Sequence, residues 1–129
     1  MQIYVGCALR NAPNAFKDEV EEMKDALEAG GHELLRFVGE DDTPSRDVFE
    51  HDIACVQACD VMLAVVTEPS LGLGMELMEA LHLSKRIIVL AEEGAHLSKM
   101  VLGAAEVGGH AMVWYQTGGL TGAALHALN

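Results

Sequence analysis

Apolar residues occur along this chain in two alternating kinds of segment. Short, nearly continuous apolar runs are typical of strands covered on both faces, and longer stretches with an apolar residue every three or four positions are typical of helices. The runs predict strands at residues 2–9, 32–38, 61–67, 86–92 and 111–116. The periodic stretches predict helices from just after residue 13 to 30, from about 47 to 59, from the glycine-spaced loop to about 84, from 95 to 106 and from 120 to 128.

The order of these elements predicts the fold class. Strands separated by helices imply a parallel sheet with right-handed crossovers, so we expect an α/β fold with a doubly wound, five-stranded parallel sheet flanked by helices, flavodoxin-like or Rossmann-like. Residues 1–129 are predicted to form a single domain, because no repeat or linker interrupts the pattern. Ligands of such sheets bind beyond the carboxyl ends of the strands. Chemistry is therefore expected in CALRNAPN and EPSLGLG, which follow the first and third strands.

The formal net charge of −12 argues against binding to nucleic acid, because a phosphate backbone needs many basic residues to displace its counterions. It still allows one small anionic ligand, held by a helix N-terminus and an arginine. No apolar run is long enough for a membrane helix, and the start MQIYVGCALR is typical of a strand and not of a signal peptide. The three cysteines are an odd number, and we expect them to be buried apolar residues in a reducing cytoplasm.

Two glycines, Gly72 and Gly74, precede a carboxylate in the stretch SLGLGMEL. Glycine lets a backbone approach a ligand closely or adopt a positive φ. The stretch lacks the Lys-Ser/Thr ending of a P-loop and the third glycine of a dinucleotide fingerprint, so neither motif is predicted. Glu76 is expected in the first turn of the next helix, where a carboxylate interacts favourably with the helix dipole or takes part in chemistry. Position alone does not separate these two interpretations.

Asp52 is the second candidate carboxylate. It shares one helical face with four apolar positions, namely Val48, Cys55, Val56 and Cys59. Partial removal from water raises the pKa of a carboxyl group and suits it to donate a proton near neutral pH. The alternative is a buried aspartate that caps a neighbouring loop, and the pattern slightly favours it.

Two residues of the first strand region complete the set of candidates. Tyr4 lies within the strand, where a buried hydroxyl needs a partner, most often a structural one. Arg10 follows the strand at its ligand end and is a candidate contact for an anion, although a surface arginine is the ordinary interpretation. The histidines and cysteines have no metal-ligand spacing, so we expect neither a metal ion nor a cofactor.

Three stretches together resemble a known family: IYVGCALR, Asp52 on the helix before the third strand, and VTEPSLGLGMELMEAL. They are similar to the 2'-deoxynucleoside 5'-phosphate N-hydrolases, within the nucleoside 2-deoxyribosyltransferase superfamily. The similarity continues through KRIIVL and LSKMVLGAA and covers nearly the whole chain. It implies a flavodoxin-like homodimer that cleaves the N-glycosidic bond of a (deoxy)nucleoside 5'-monophosphate, releasing free base and (deoxy)ribose 5-phosphate.

The resemblance also implies catalytic roles. Glu76 matches the nucleophile that attacks C1' and forms a glycosyl-enzyme, and Asp52 matches the acid that assists departure of the base. Tyr4 matches the residue that positions the glutamate. Two carboxylates with separate tasks are also what retaining glycosidases use. We expect the polar loop and the helix start to keep Glu76 ionised, and the apolar face to keep Asp52 protonated.

Substrate contacts are implied in the same way. Arg10, Ser70 and Ser98 match contacts to the 5'-phosphate, with Ser98 expected from the neighbouring subunit. Gly72 and Gly74 are expected to bring the loop close to the sugar.

One position departs from the family. The strand-one loop usually reads G-S-I-R-G, and Ala8 stands here where the family has a serine that contacts phosphate. The missing hydroxyl leaves a free nucleoside open as substrate. If a second base, and not water, takes the sugar from Glu76, the protein is a nucleoside 2-deoxyribosyltransferase. A non-catalytic nucleotide-binding sensor is the third alternative, although a sensor has no need of both carboxylates.

Overall fold

The computed structural model describes residues 1–36 and 41–129. Five strands form one sheet in the order β2-β1-β3-β4-β5, and every neighbouring pair is parallel. The strands are β1 (Gln2–Cys7), β2 (Glu33–Leu34), β3 (Val61–Val65), β4 (Arg86–Glu92) and β5 (Met112–Tyr115). The predicted doubly wound α/β fold is confirmed.

Five helices cover the two faces of this sheet. They are α1 (Asn14–Ala29), α2 (Ser45–Ala58), α3 (Leu71–His82), α4 (Lys99–Val107) and α5 (Leu120–Leu128). Helices α1 and α5 pack on one face, and α2, α3 and α4 pack on the other. None of the described helices is long and apolar enough to cross a membrane.

Strand β3 shows why the apolar runs become central strands. All five of its residues are buried. Val61, Leu63 and Val65 belong to the core under α1 and α5, whereas Met62 and Ala64 belong to the core under α2, α3 and α4. Because successive side chains point to opposite faces of a sheet, a strand covered on both sides must be apolar throughout.

Strand β2 is much shorter than predicted. It ends at Leu34, and residues 37 and 38 of the predicted strand lie outside the described residues. The guanidinium of Arg36 pairs with three carboxylates of α1, those of Glu21, Asp25 and Glu28, at 3.2, 3.6 and 2.9 Å. These ion pairs hold Arg36 against the helix and not in a longer ladder with β1.

Helix α3 begins earlier than predicted. The Ser70 hydroxyl oxygen accepts a hydrogen bond from the Leu73 N–H at 3.2 Å, so Ser70 caps the helix. Gly72 and Gly74 are therefore helical, and neither has a positive φ. The prediction that they form a loop was wrong, because a serine cap moved the helix start to Leu71.

Helix α4 begins at Lys99 and not at residue 95, for the same reason. The Ser98 hydroxyl oxygen accepts a hydrogen bond from the Met100 N–H at 3.1 Å. The expectation of three buried cysteines was correct for Cys59, whereas Cys7 and Cys55 are only partly buried.

Candidate active site

A cavity of about 770 Å³ opens at the carboxyl end of β1, beside the N-terminal turns of α3. Its lining includes six of the eight residues that the sequence singled out: Tyr4, Arg10, Asp52, Ser70, Gly72 and Glu76. The position agrees with the rule that ligands of parallel sheets bind beyond the carboxyl ends of the strands.

Tyr4 and Glu76 meet in the buried part of this cavity. The Tyr4 hydroxyl donates a short hydrogen bond to Glu76 Oε2, and the two residues are 72 positions apart in the sequence. Burial, together with the Glu76 charge and this hydrogen bond, raises the pKa of Tyr4 well above its usual value, so the hydroxyl remains a donor. No described residue hydrogen-bonds Glu76 Oε1, which leaves that oxygen available to a ligand.

Gly6 makes this approach possible. A Cβ at Gly6 would lie 2.7 Å from Leu73 Cδ1, 2.8 Å from Met62 Cε and 3.5 Å from Glu76 Oε1. Leu73 and Met62 are both buried, so neither has open space into which to move. The missing side chain lets α3 pack directly on β1 and brings the carboxylate of Glu76 against the strand.

Glu76 is buried, with 8% of its surface exposed, where the sequence predicted a polar loop. It is the sixth residue of α3 and lies in the second helical turn, whereas the dipole acts mainly on the first. Burial raises the pKa of Glu76 to about 7; the Tyr4 hydrogen bond opposes this shift, and the nearby Asp52 charge adds to it. The prediction that the helix start keeps Glu76 ionised was therefore wrong. Both the protonated and the ionised form of Glu76 are therefore accessible near neutral pH.

Asp52 reaches the same cavity from α2. Its side chain is 25% exposed, and His51 Nδ1 lies 3.6 Å from its Oδ1. That separation is too long for a hydrogen bond, so Asp52 Oδ1 is buried without a hydrogen-bond partner in the described part of the chain. Burial raises the pKa of Asp52, as the apolar helical face predicted, and His51 opposes the shift. The carboxylate in the more buried position is nevertheless Glu76 and not Asp52.

The same cavity lining includes candidate anion contacts. Arg10 is exposed there, and Ser70 and Gly72 line the wall at the start of α3. Gly74 and Ser98 are not part of the lining; Gly74 is exposed on α3, and Ser98 is exposed at the start of α4. The structure therefore does not bring Gly74 to the cavity, because its helical position turns it away from the sheet.

Several lining residues were not singled out from the sequence. Val48, Phe49 and Ile53 of α2 form an apolar wall near Asp52. Phe49 is exposed to 52%, which is unusual for a phenylalanine in a small α/β protein. Phe49 directly follows Val48, a member of the apolar face of this helix, and this position was the available signal in the sequence. The periodic pattern drew attention only to the members of that face, so Phe49 was not singled out.

The arrangement can supply two chemical functions. A carboxylate with a pKa near neutrality, held by a hydroxyl, can act as a nucleophile or base. A second, partly desolvated carboxyl group can donate a proton. Among residues 1–36 and 41–129, no group of three or more His, Cys, Asp or Glu side chains could hold a metal ion.

Two curated relatives are similar in sequence. A protein of Thermofilum pendens, named as a 2'-deoxynucleoside 5'-phosphate N-hydrolase, is 35% identical over 99 residues, which cover 70% of this chain and 68% of that protein. The 5-hydroxymethyl-dUMP N-hydrolase of Danio rerio is 39% identical over 59 residues, 46% of this chain and 41% of that protein. No protein-family model matches the chain.

Solved structures share the fold. A CMP N-glycosidase of Clostridium botulinum has a TM-score of 0.77 and 19% identity, covering 99% of this chain and 97% of that chain. A 2-deoxyribosyltransferase of Bacillus psychrosaccharolyticus has a TM-score of 0.66 and 14% identity, covering 92% of this chain and 88% of that chain. At these identities the likeness establishes the fold alone.

The raised pKa of Glu76 predicts a cost in stability. The folded state holds this proton up to about pH 7, whereas the unfolded chain releases it near the ordinary glutamate pKa of 4.5, so stability falls as the pH rises between these values. Glu76→Gln keeps the shape without the charge. We expect it to raise the free energy of unfolding by about 2–3 kcal/mol at pH 8 and very little at pH 4.

Urea unfolding at several pH values measures this difference. Glu22→Gln, on the exposed surface of α1, is the matched control and should not give this gain at alkaline pH. A Glu76→Gln variant that gains nothing at alkaline pH would contradict the burial of a carboxylate charge.

Proposed function

This chain belongs to the 2'-deoxynucleoside 5'-phosphate N-hydrolase family, as its sequence motifs predicted, and we propose that it hydrolyses the N-glycosidic bond of (deoxy)nucleoside 5'-monophosphates. The products are the free base and (deoxy)ribose 5-phosphate. One observation carries the proposal: a tyrosine-held carboxylate, a second desolvated carboxyl group and an arginine line one cavity. The names of both curated relatives, each an N-hydrolase of a nucleotide, support it.

The first half of the reaction transfers the sugar to the protein. Glu76 Oε1 attacks C1' while Tyr4 holds Oε2, and the bond from C1' to the base nitrogen breaks. The electron pair of that bond goes to the base, which takes up the proton carried by Asp52. A glutamyl-glycosyl ester and a free base result.

Water completes the second half. Asp52, now a carboxylate, accepts a proton from a water molecule whose oxygen attacks C1' and displaces Glu76. This returns both carboxyl groups to their starting protonation states, as in a retaining glycosidase.

The two carboxyl groups share protons in this scheme. Productive enzyme has Glu76 ionised and Asp52 protonated, and a charge on Asp52 raises the pKa of Glu76 by repulsion. Because Glu76 is more deeply buried than Asp52, burial alone favours a protonated Glu76 and an ionised Asp52. Tyr4 counteracts this, because its hydrogen bond stabilises the ionised form of Glu76.

A homodimer is part of the proposal, with Ser98 of one copy reaching the phosphate in the other. Helix α3 exposes an apolar stripe, Leu71, Met75 and Met78, and α4 exposes Met100 to 82%. Apolar side chains clustered in this way are typical of contact surfaces between chains. Covering them with a second copy also explains why Ser98 does not line the cavity of its own chain.

Sedimentation analysis tests the dimer, and we expect a dimer at micromolar protein concentrations. Met75 lines the cavity, so the disrupting variant is Met100→Lys, on a side chain away from the cavity. It should give monomers that bind a monophosphate more weakly. Monomeric protein with unchanged affinity would contradict a contribution from Ser98.

A deoxyribosyltransferase is the second candidate. Ala8, which removes a hydroxyl from the expected phosphate contacts, favours a substrate without phosphate. Arg10 and Ser70 in the cavity lining favour the monophosphate instead. The two enzymes differ in one step only, because a second base in place of water takes the sugar from Glu76.

Chromatographic detection of free base separates these candidates. We expect release of base from deoxynucleoside 5'-monophosphates, including 5-hydroxymethyl-dUMP, and much slower release from the matching nucleosides. Glu76→Ala should lower turnover by at least about a thousandfold, since it removes the nucleophile. A new nucleoside that forms only with added acceptor base would make the protein a transferase, and full activity in Glu76→Ala would overturn the mechanism.

The pH dependence of kcat/KM tests the role of Tyr4. Activity should rise as Glu76 loses its proton around pH 7, because the ionised carboxylate is the nucleophile. Tyr4→Phe removes the hydrogen bond that lowers the pKa of Glu76, so the rising limb should move to higher pH. Activity at pH 7 should then drop by about tenfold or more. An unmoved limb would mean that Tyr4 has no influence on the ionisation of Glu76.

A further inference from the structure

A second, smaller cavity of about 620 Å³ adjoins the first at the Arg10 end. Leu9, Arg10, Lys17 and Asp41 line it. Leu9, Arg10 and Asp41 also line the larger cavity, so the two share one rim and Lys17 is the residue that the smaller one adds.

Arg10 and Lys17 differ from most basic residues of the chain. Lys24, Arg36 and Arg46 form ion pairs with carboxylates, and Lys85 and Arg86 donate hydrogen bonds to backbone carbonyls. Within residues 1–36 and 41–129, neither Arg10 nor Lys17 has an ion pair or a side-chain hydrogen bond. In a chain with 20 acidic and 8 basic residues, two unpaired cations on the same cavity are unexpected.

The position of Lys17 is electrostatically unfavourable without an anion. It lies in the first turn of α1, where a positive charge opposes the helix dipole, and that turn has no acidic residue. The preceding Pro13 gives the helix no side-chain cap, so its first N–H groups point outward unsatisfied by a side chain. Asp41 on the rim is a single carboxylate against two cations.

We propose that the phosphate group of the substrate is held between Arg10 and Lys17, so that Lys17 is a substrate-binding residue. This rests on the proposed function, since it identifies the phosphate end of that site. A second cation there compensates for the hydroxyl that Ala8 lacks. The recognised group is a phosphate dianion, attached either directly to the sugar or as the outer phosphate of a diphosphate.

Calorimetric binding tests the proposal without turnover, in protein that carries Glu76→Gln. The ligands are a deoxynucleoside 5'-monophosphate, the same nucleoside, and its 5'-diphosphate. Lys17→Gln should weaken binding of the monophosphate by about tenfold and leave the nucleoside unchanged, because a charge-assisted hydrogen bond is lost only where phosphate is present. Asp41→Asn, which removes the opposing charge from the rim, should strengthen binding of the monophosphate severalfold.

Arg86→Gln is the matched control. It removes one positive charge at the first residue of β4, at the end of the parallel strands away from the cavity, and should leave every affinity unchanged. An equal loss in Arg86→Gln would mean that net charge alone acts, and an equal loss for the nucleoside would mean that the cavity has changed shape. A loss for the diphosphate alone would place Lys17 at the outer phosphate, and no loss at all would overturn its role.

These outcomes are independent of the reaction. If the chain releases no base yet binds the monophosphate through Lys17, the phosphate site stands and the hydrolase proposal fails. If base is released and Lys17→Gln binds the monophosphate normally, the hydrolase proposal stands and the role of Lys17 in the phosphate site fails.

Discussion

The buried hydrogen bond between Tyr4 and Glu76 is the contact on which the rest of the site depends. It joins β1 and α3 within the mostly apolar core on the face of the sheet that α2, α3 and α4 cover. A carboxylate in such surroundings is costly, and a single donor compensates for only part of the cost. The core there is consequently built around a group that favours the protonated state. The protein gives up stability at neutral and alkaline pH to keep that group in place.

Much of the fold could be predicted because it depends on local patterns. The doubly buried β3 and the single apolar face of α1, formed by Phe16, Val20, Met23 and Leu27, are visible in the sequence without any tertiary information. The errors arose where one side chain overrode the pattern. Ser70 and Ser98 each cap a helix, so the two helices begin at other residues than predicted. Arg36 lies beyond the end of β2 and pairs with α1, although a strand was predicted there.

The main residues of the candidate site could be predicted from the sequence, but the burial of Glu76 and its raised pKa could not. Tyr4, Asp52 and Glu76 were identified from residue type, spacing and family resemblance, and all three line one cavity. Their catalytic roles stay predictions. The burial of Glu76 could not be foreseen, because it follows from the close packing of α3 on Gly6. Sequence periodicity reports which face of a helix is apolar, but not how near that helix lies to the sheet.

Helix α3 also fixes the distance between two residues of the candidate site. Ser70 and Glu76 are joined by about 9 Å of helical rise, a distance fixed by backbone hydrogen bonds. The helix therefore fixes the separation between Ser70, a proposed phosphate contact, and the Glu76 carboxylate, and movement of the surrounding loops leaves this separation unchanged. An inserted residue within this segment would rotate Glu76 by about 100° about the helix axis and carry it away from Tyr4. Substrates whose anionic group and reacting carbon are spaced differently would be excluded by the same rigid interval.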